Sequence, residues 1–207
     1  LLENEIERIK KQMNNISKKI SSARKLSKSK IQIGIESAFK NLALKNSKID
    51  FNLTESDEFN KNGINNIEVL YRPSEQSSPK LLSKIASGGE KSRILFALKS
   101  ILSKKIDLPT LVFDEIDSGT SGEIANAIGK MMKIMGKKIQ IIAITHLPQV
   151  ASLADFHYKV FKIEEEKNIS TNIKKLDTSS RIKEIASMIS GENITESAIN
   201  QAQELLK

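Results

Sequence analysis

The 207-residue chain carries 33 Lys and Arg against 25 Asp and Glu, a formal charge of +8, and has neither Cys nor Trp. The lack of Cys excludes disulfides and thiolate metal sites and suits a reducing cytoplasm. No apolar run reaches the roughly 18 to 20 residues of a membrane span. Hydrophobic content is ordinary at 39% and aromatic content low at 4%, so an aliphatic core is expected, in one substantial domain plus an appendage. Without an initiator Met or a signal-peptide pattern, the start reads as that of a fragment whose true start lies elsewhere.

Leu2, Ile6, Ile9, Met13, Ile16, Ile20 and Ala23 alternate steps of four and three, the a/d period of a coiled coil. About three heptads are short for an independent coil, so residues 1–30 read as one strand of a longer antiparallel coil, a coiled-coil stub. The same segment is basic: Arg8, Lys10, Lys11, Lys18, Lys19, Arg24, Lys25, Lys28 and Lys30 face only Glu3, Glu5 and Glu7. Counterion release would favour a polyanion such as DNA; the alternative is a solvated helix face, since no aromatics interleave to stack on bases. Ser27 interrupts the stripe, and a second helical period runs from Ile31 to Leu44 through Ile35, Ala38, Phe39 and Leu42.

Two alternating stretches follow, "KIDFNLT" and "INNIEVLYR", with Asn62-Gly63 between them, which predicts an antiparallel pair. "RPSEQSSPK" is a polar loop. Next, "LLSKIASGGEKSRILFAL" sets a glycine turn before a helix over Ser92 to Lys104, with Ile94, Leu95, Leu98, Ile101 and Leu102 inward. "PTLVFDE" is a buried strand ending in acids. "GEIANAIGKMMKIMG" is an amphipathic helix closed by Gly136, with Met131, Met132 and Met135 as core filling. "KIQIIAITH" is a second buried strand ending at His146, and "HYKVFKIEE" with "NISTNIKKL" an edge hairpin. Two terminal helices follow, Ser180 to Ile189, stopped by Gly191, and Thr195 to Leu206, opened by a capping box of Asn193 and Glu196. Strands alternating with helices predict an α/β sheet with its site at the carboxyl edge.

Three features carry chemistry. "TLVFDEID" delivers two adjacent acids from an apolar strand, the Walker B pattern. Asp114 would hold the magnesium shell of a nucleotide and Glu115 would polarise the attacking water. Magnesium keeps several waters, so one carboxylate plus phosphate oxygens suffices. A two-metal nuclease centre on Asp114, Glu115 and Asp117 is the rival. His146 leaves a neighbouring strand, where it could bond the γ-phosphate or the water; His157 receives no role. Gly88 and Gly89 let backbone approach a ligand, and the helix beginning near Glu90 offers free N–H groups, with Ser87 adding a hydroxyl. A capped helix start and a plain "DSGTSG" turn are the ordinary readings of these last features. The chain contains no GxxxxGK[ST] phosphate loop.

The order of these elements, from Ser87 to His146, resembles the second half of an ATP-binding cassette ATPase head. "ASGGEKSR", "LVFDEIDSGTSG", "ITHLPQVAS" and the closing "SRIKEIASMISG" and "AQELLK" are similar to the RecN family, bacterial DNA double-strand-break repair ATPases related to the SMC proteins. The resemblance covers the chain from about Ile31 onward and implies the carboxyl-terminal lobe of an ATPase head over residues 31–207. It implies that Ser87, Gly88, Gly89 and Glu90 are the signature motif, which contacts the γ-phosphate of ATP held by the opposite protomer. Asp114 matches the Walker B magnesium acid, Glu115 the catalytic glutamate, and His146 the switch histidine. Asp117, Ser118 and Gly119 fall in the D-loop; Ser121 departs from the aspartate many cassette ATPases carry there.

It further implies ATP and Mg2+ as cofactors and an amino-terminal Walker A half, on the same or a separate chain, as partner. A head-to-head homodimer, DNA (double-stranded, or single-stranded ends) and a cytoplasmic, nucleoid-associated place are implied as well. Without Walker A the chain alone is expected to be inactive. A transporter ATPase subunit and a non-catalytic dimerisation module are the alternatives.

Overall fold

The computed structural model describes residues 1–85, 88–103, 105–114, 116, 119–165 and 168–207. They form two compact units, Leu1–Ile101 and Leu102–Lys207.

In the first unit, Leu2–Phe39 is one uninterrupted helix, α1. The expected break at Ser27 does not occur. Ser27 and Ser29 are exposed, so their hydroxyls face water, and the flanking Leu and Lys are good helix formers. The a/d stripe is open to solvent at Leu2, Ile6, Ile9, Met13 and Ile16. Instead the helix buries Ser17 and Ser21 in its middle and Ile35, Ala38 and Phe39 near its end.

What covers that other face is the predicted hairpin, β1 (Lys48–Asn60) and β2 (Gly63–Arg72). Its antiparallel register pairs Ile49 with Tyr71, Phe51 with Val69 and Leu53 with Ile67, and slips between Glu55 and Asn60. The hairpin climbs α1 from base to tip. At the base Lys48 reaches Glu36 (3.3 Å); further along, Lys28 pairs with Asp50 (2.7 Å), and its bond holds that carboxyl below the usual range. At the tip Ser21 donates to Asn65 Oδ1 (2.8 Å), and Arg24 donates to Asn65 Oδ1 (3.0 Å) and to the Asn62 carbonyl (2.7 Å). Gly63, at φ 97, supplies the left-handed residue this tight return needs.

The polar loop after β2 ends in a short strand, β3 (Lys80–Leu81), whose Lys80 lies opposite Tyr71. A single 3-10 turn, Leu82–Lys84, follows. The next helix, α2, spans Gly88–Leu102 and buries Ile94, Phe96, Ala97 and Ser100. Leu95 and Leu102, expected inward, are exposed, because the inward face turns to include Phe96.

In the second unit β4 (Thr110–Asp114) and β5 (Gln140–Ile144) pair in parallel, Asp114 opposite Ile144, with helix α3 (Gly122–Gly136) as the crossover. This is the βαβ order read from the sequence. Met132 and Met135 are buried, as core filling requires. Gly136 is the last helical residue, not a left-handed cap; Lys137 ends the helix in right-handed geometry. Among the described residues the parallel sheet has two strands, and the predicted edge hairpin, β6 (Tyr158–Glu165) with β7 (Asn168–Lys175), forms a separate sheet.

A short helix, α4 (Pro148–Ala151), follows β5 and lies close on α3. Gly129 makes the approach feasible: a Cβ there would stand 2.8 Å from Leu153 Cδ1 and 3.4 Å from the Gln149 carbonyl and Val150 Cα. Leu153 can yield to one methyl, so Gly129→Ala is expected to be near neutral. Gly129→Val would meet α4 backbone and should cost about 1–3 kcal/mol of stability, with an unchanged denaturant slope in chemical unfolding.

Helices α5 (Thr178–Ser190) and α6 (Glu196–Leu205) close the chain. With α4 they bury Ala151, Ile185, Ala186, Ala198 and Ala202, a small-residue cluster that lets the helices pack tightly. Asp177 caps α5 by accepting from Ser180 N (2.7 Å), and Gly191 ends it at φ 78. The cap of α6 is Thr195, whose hydroxyl accepts from Ala198 N, two residues later than the Asn193 box expected. No helix among the described residues is long and apolar enough to cross a membrane.

Candidate nucleotide site

The second unit carries the acid and the histidine. The register that sets Asp114 beside Ile144 puts Asp114 and the segment Thr145–His146 at one carboxyl edge, where open α/β sheets bind ligands. Both Asp114 and His146 are exposed. The strand stops at Ile144, two residues before the expected end, because Thr145 Oγ1 accepts from Leu147 N (3.0 Å) and turns the chain. Pro148 then opens α4 at a position where its missing N–H costs nothing. His146 therefore stands on a turn clamped between β5 and α4.

Past β4, Glu115, Asp117 and Ser118 lie outside the described residues. Gly119 is described: it is exposed, at φ 68, with no heavy atom within 4 Å of a built Cβ among the described residues. Ser121 is the N-cap of α3 but makes no side-chain cap bond.

One face of this sheet is apolar yet open. Val112, Ile142 and Ile144 share it by their register, and are 51%, 46% and 53% exposed. Parallel sheets ordinarily have both faces covered, and a two-stranded one is marginal on its own.

The first unit carries the glycine turn. Ser87 lies outside the described residues. Gly88 and Gly89 open α2, Gly88 exposed and Gly89 half-buried, and Glu90 stands in the first turn, where a carboxylate suits the helix dipole. Glu90 Oε1 accepts a 2.7 Å bond from the Tyr71 hydroxyl, and Tyr71 is 1% exposed. A cavity of about 440 Å³ adjoins it, lined by residues of the α1–β1 turn with Pro73, Glu90 and Arg93. Sequence reasoning used Tyr71 only as an alternating strand residue. The one signal for more was its inward place, since a buried tyrosine hydroxyl usually finds a partner.

Elsewhere in the second unit, His157 Nδ1 is buried without a partner among the described residues, and burial pulls the imidazole below its usual pKa. It lines a separate cavity with Lys175 and Arg181. Among the described residues no three His, Cys, Asp or Glu cluster as a metal site.

No family model matches the chain. It is 37% identical over 191 residues to the DNA repair protein RecN of Rickettsia bellii, covering 92% of this chain and 35% of that protein. RecN of Haemophilus influenzae is 33% identical over 196 residues, covering 94% and 35%. This chain is a carboxyl-terminal RecN-like region. It spans about a third of the length of these RecN relatives.

The RecN-like chain has the fold of an SMC head. The Smc head domain with coiled coil and joint from Pyrococcus yayanosii aligns with a TM-score of 0.63 at 19% identity, over 100% of this chain and 35% of that one. A chain solved in work on ATP-driven dimerization and DNA-stimulated activation of SMC ATPases aligns at 0.54 and 18% identity. That alignment covers 87% of this chain and 99% of the other.

Proposed function

We propose that this RecN-like chain is the carboxyl-terminal lobe of an ATPase head that acts in DNA double-strand-break repair and recombination. Residues 1–30 serve as the coiled-coil stub and 31–207 as the lobe. The observation that carries the reading is the emergence of Asp114 and His146 at one carboxyl edge of the β4–β5 pair, with Glu115 next in sequence. In this reading Asp114 binds the magnesium shell, Glu115 orients and deprotonates water, and His146 steadies the γ-phosphate. A single described carboxylate at a solvent-open strand end fits Mg2+, which binds through one or two carboxylates plus phosphate oxygens and waters. When bound it would neutralise phosphate charge; the residues would align water and phosphate.

Ser87, Gly88, Gly89 and Glu90 then act on ATP held by a second head, and Asp117, Ser118 and Gly119 face that head across a homodimer. The open apolar face of Val112, Ile142 and Ile144 supports a missing complement to the sheet, supplied by the amino-terminal Walker A half. The open stripe from Leu2 to Ile16 likewise supports a partner helix for the coil. Lys11, Lys18 and Lys25 recur every seven residues away from that stripe. Lys10, Lys11, Lys18, Lys19 and Lys30 make no ion pair among the described residues, which suits contact with DNA phosphates. A cytoplasmic, nucleoid-associated place follows from this role.

ATP turnover measured with and without an added Walker A half tests the assignment. The chain alone should be inactive and the reconstituted head active. Robust Mg2+-dependent turnover by the chain alone would overturn it.

A further inference from the structure

The hydroxyl of Tyr71 touches the one acid of the glycine turn, although Tyr71 lies on a strand 19 residues away in sequence. Its ring meets Phe39 of α1 edge-on, with centroids 6.3 Å apart and planes at 86°, an arrangement that fixes the aromatic plane. Behind the hydroxyl stands Ser47, 5% exposed, whose Oγ lies 2.9 Å from Tyr71 Oη and 3.1 Å from the Pro73 carbonyl. Two hydroxyl protons serve these three contacts. The Tyr71 proton goes to the Glu90 carboxylate, and the Ser47 proton is left for Tyr71 Oη or Pro73. Burial raises the phenol's pKa, so the hydroxyl stays a donor across the physiological range.

The chain's path makes this contact possible. Strand β3 sets Lys80 opposite Tyr71, so the segment leading to α2 starts beside the tyrosine and Glu90 returns to it. Phenylalanine would fill the same apolar space, so the core does not need the hydroxyl. What it serves is the Glu90 carboxylate, to which it donates.

We propose that Tyr71 is a positioning residue for the glycine turn: its buttressed hydroxyl fixes the Glu90 carboxylate, and through it the first turn of α2. The inference rests on the reading of Ser87–Glu90 as the signature motif. In that reading Gly88 and Gly89 must present backbone to a nucleotide on another head, and a turn held at a defined pitch does so without ordering cost. The charge-assisted bond to Tyr71 supplies that hold from inside the sheet.

The test uses the complete RecN-like protein with ATP and Mg2+, reading ATP-dependent head association, nucleotide binding to separate heads, and melting temperature. Tyr71→Phe is expected to raise the ATP concentration for half-maximal association by about fivefold to tenfold. Nucleotide binding by separate heads should not change. On a Glu90→Ala background the same substitution should add less than about twofold, because the partner it acts through is gone. An equal penalty on both backgrounds, or normal association by Tyr71→Phe, overturns the proposal. If Tyr71→Phe lowers the melting temperature markedly, Ser47→Ala carries the test instead, since it leaves the ring in place. Weakened association with unchanged melting then supports the proposal, and normal association overturns it. Failure of the unmodified protein to associate with ATP would sink the signature reading itself, a separate outcome.

Discussion

Glu115→Gln in the assembled RecN-like protein is expected to lower ATP turnover by about 10²–10⁴-fold while nucleotide affinity stays unchanged. The amide keeps the size and one hydrogen-bond acceptor of the glutamate but cannot take a proton. Glu115 is next in sequence to Asp114, and the pairing of Asp114 with Ile144 fixes Asp114 at the carboxyl edge next to the His146 turn. A base that acts only in the hydrolytic step contributes nothing to ground-state binding, so its loss belongs in kcat. Heads that bind ATP yet cannot cleave it should accumulate in the associated form, visible as an ATP-stabilised dimer by size-exclusion chromatography. Melting temperature serves as the control for folding. Turnover at the normal rate would remove Glu115 from the role of base.

That prediction rests on features legible without coordinates, and the reason is periodicity. An apolar run ending in Asp114 and another ending near His146, joined by an amphipathic segment, admit few arrangements other than a parallel pair with a helical crossover. The antiparallel pairing of β1 with β2 was equally readable, since Ile49, Phe51 and Leu53 alternate as do Ile67, Val69 and Tyr71.

What escaped the sequence depends on contacts between distant residues. Ser17 and Ser21 look like surface positions beside the Leu2–Ile16 stripe, yet they are buried because Asn65 and the hairpin tip settle there. Ser27 looks like an interruption, but an exposed serine between helix formers does not end a helix that long-range packing holds at Ile35 and Phe39. The inward face of α2 takes Phe96 where the spacing predicts Leu95, since adjacent apolar residues leave the helical phase open. Tyr71 and Glu90 illustrate the same limit at the site: each fits a local pattern, and only the β2–β3 pairing brings them together.

Gly88→Ala should leave the fold intact and still weaken ATP-dependent head association by at least about tenfold, or 1.4 kcal/mol. Gly88 is helical, and a Cβ built there meets nothing within 4 Å among the described residues. Neither backbone conformation nor packing among the described residues therefore requires glycine. Gly88 is the first residue of α2, outside the helix interior where glycine is penalised, so for this chain alone the substitution is expected to be near neutral. What would make glycine matter here lies outside the described fold. The candidate with the right chemistry is a phosphate approaching the free N–H groups at the start of α2, close enough that a methyl group would stand in the way. Gly119 is a useful contrast: it is equally open, but its φ of 68 makes alanine strained by about 1–2 kcal/mol, so a loss of function there would be ambiguous. At Gly88 the effect on the fold and the effect on association separate. Unchanged or raised melting temperature together with lost association identifies an external ligand, whereas normal association in Gly88→Ala would remove the glycine turn from the nucleotide site.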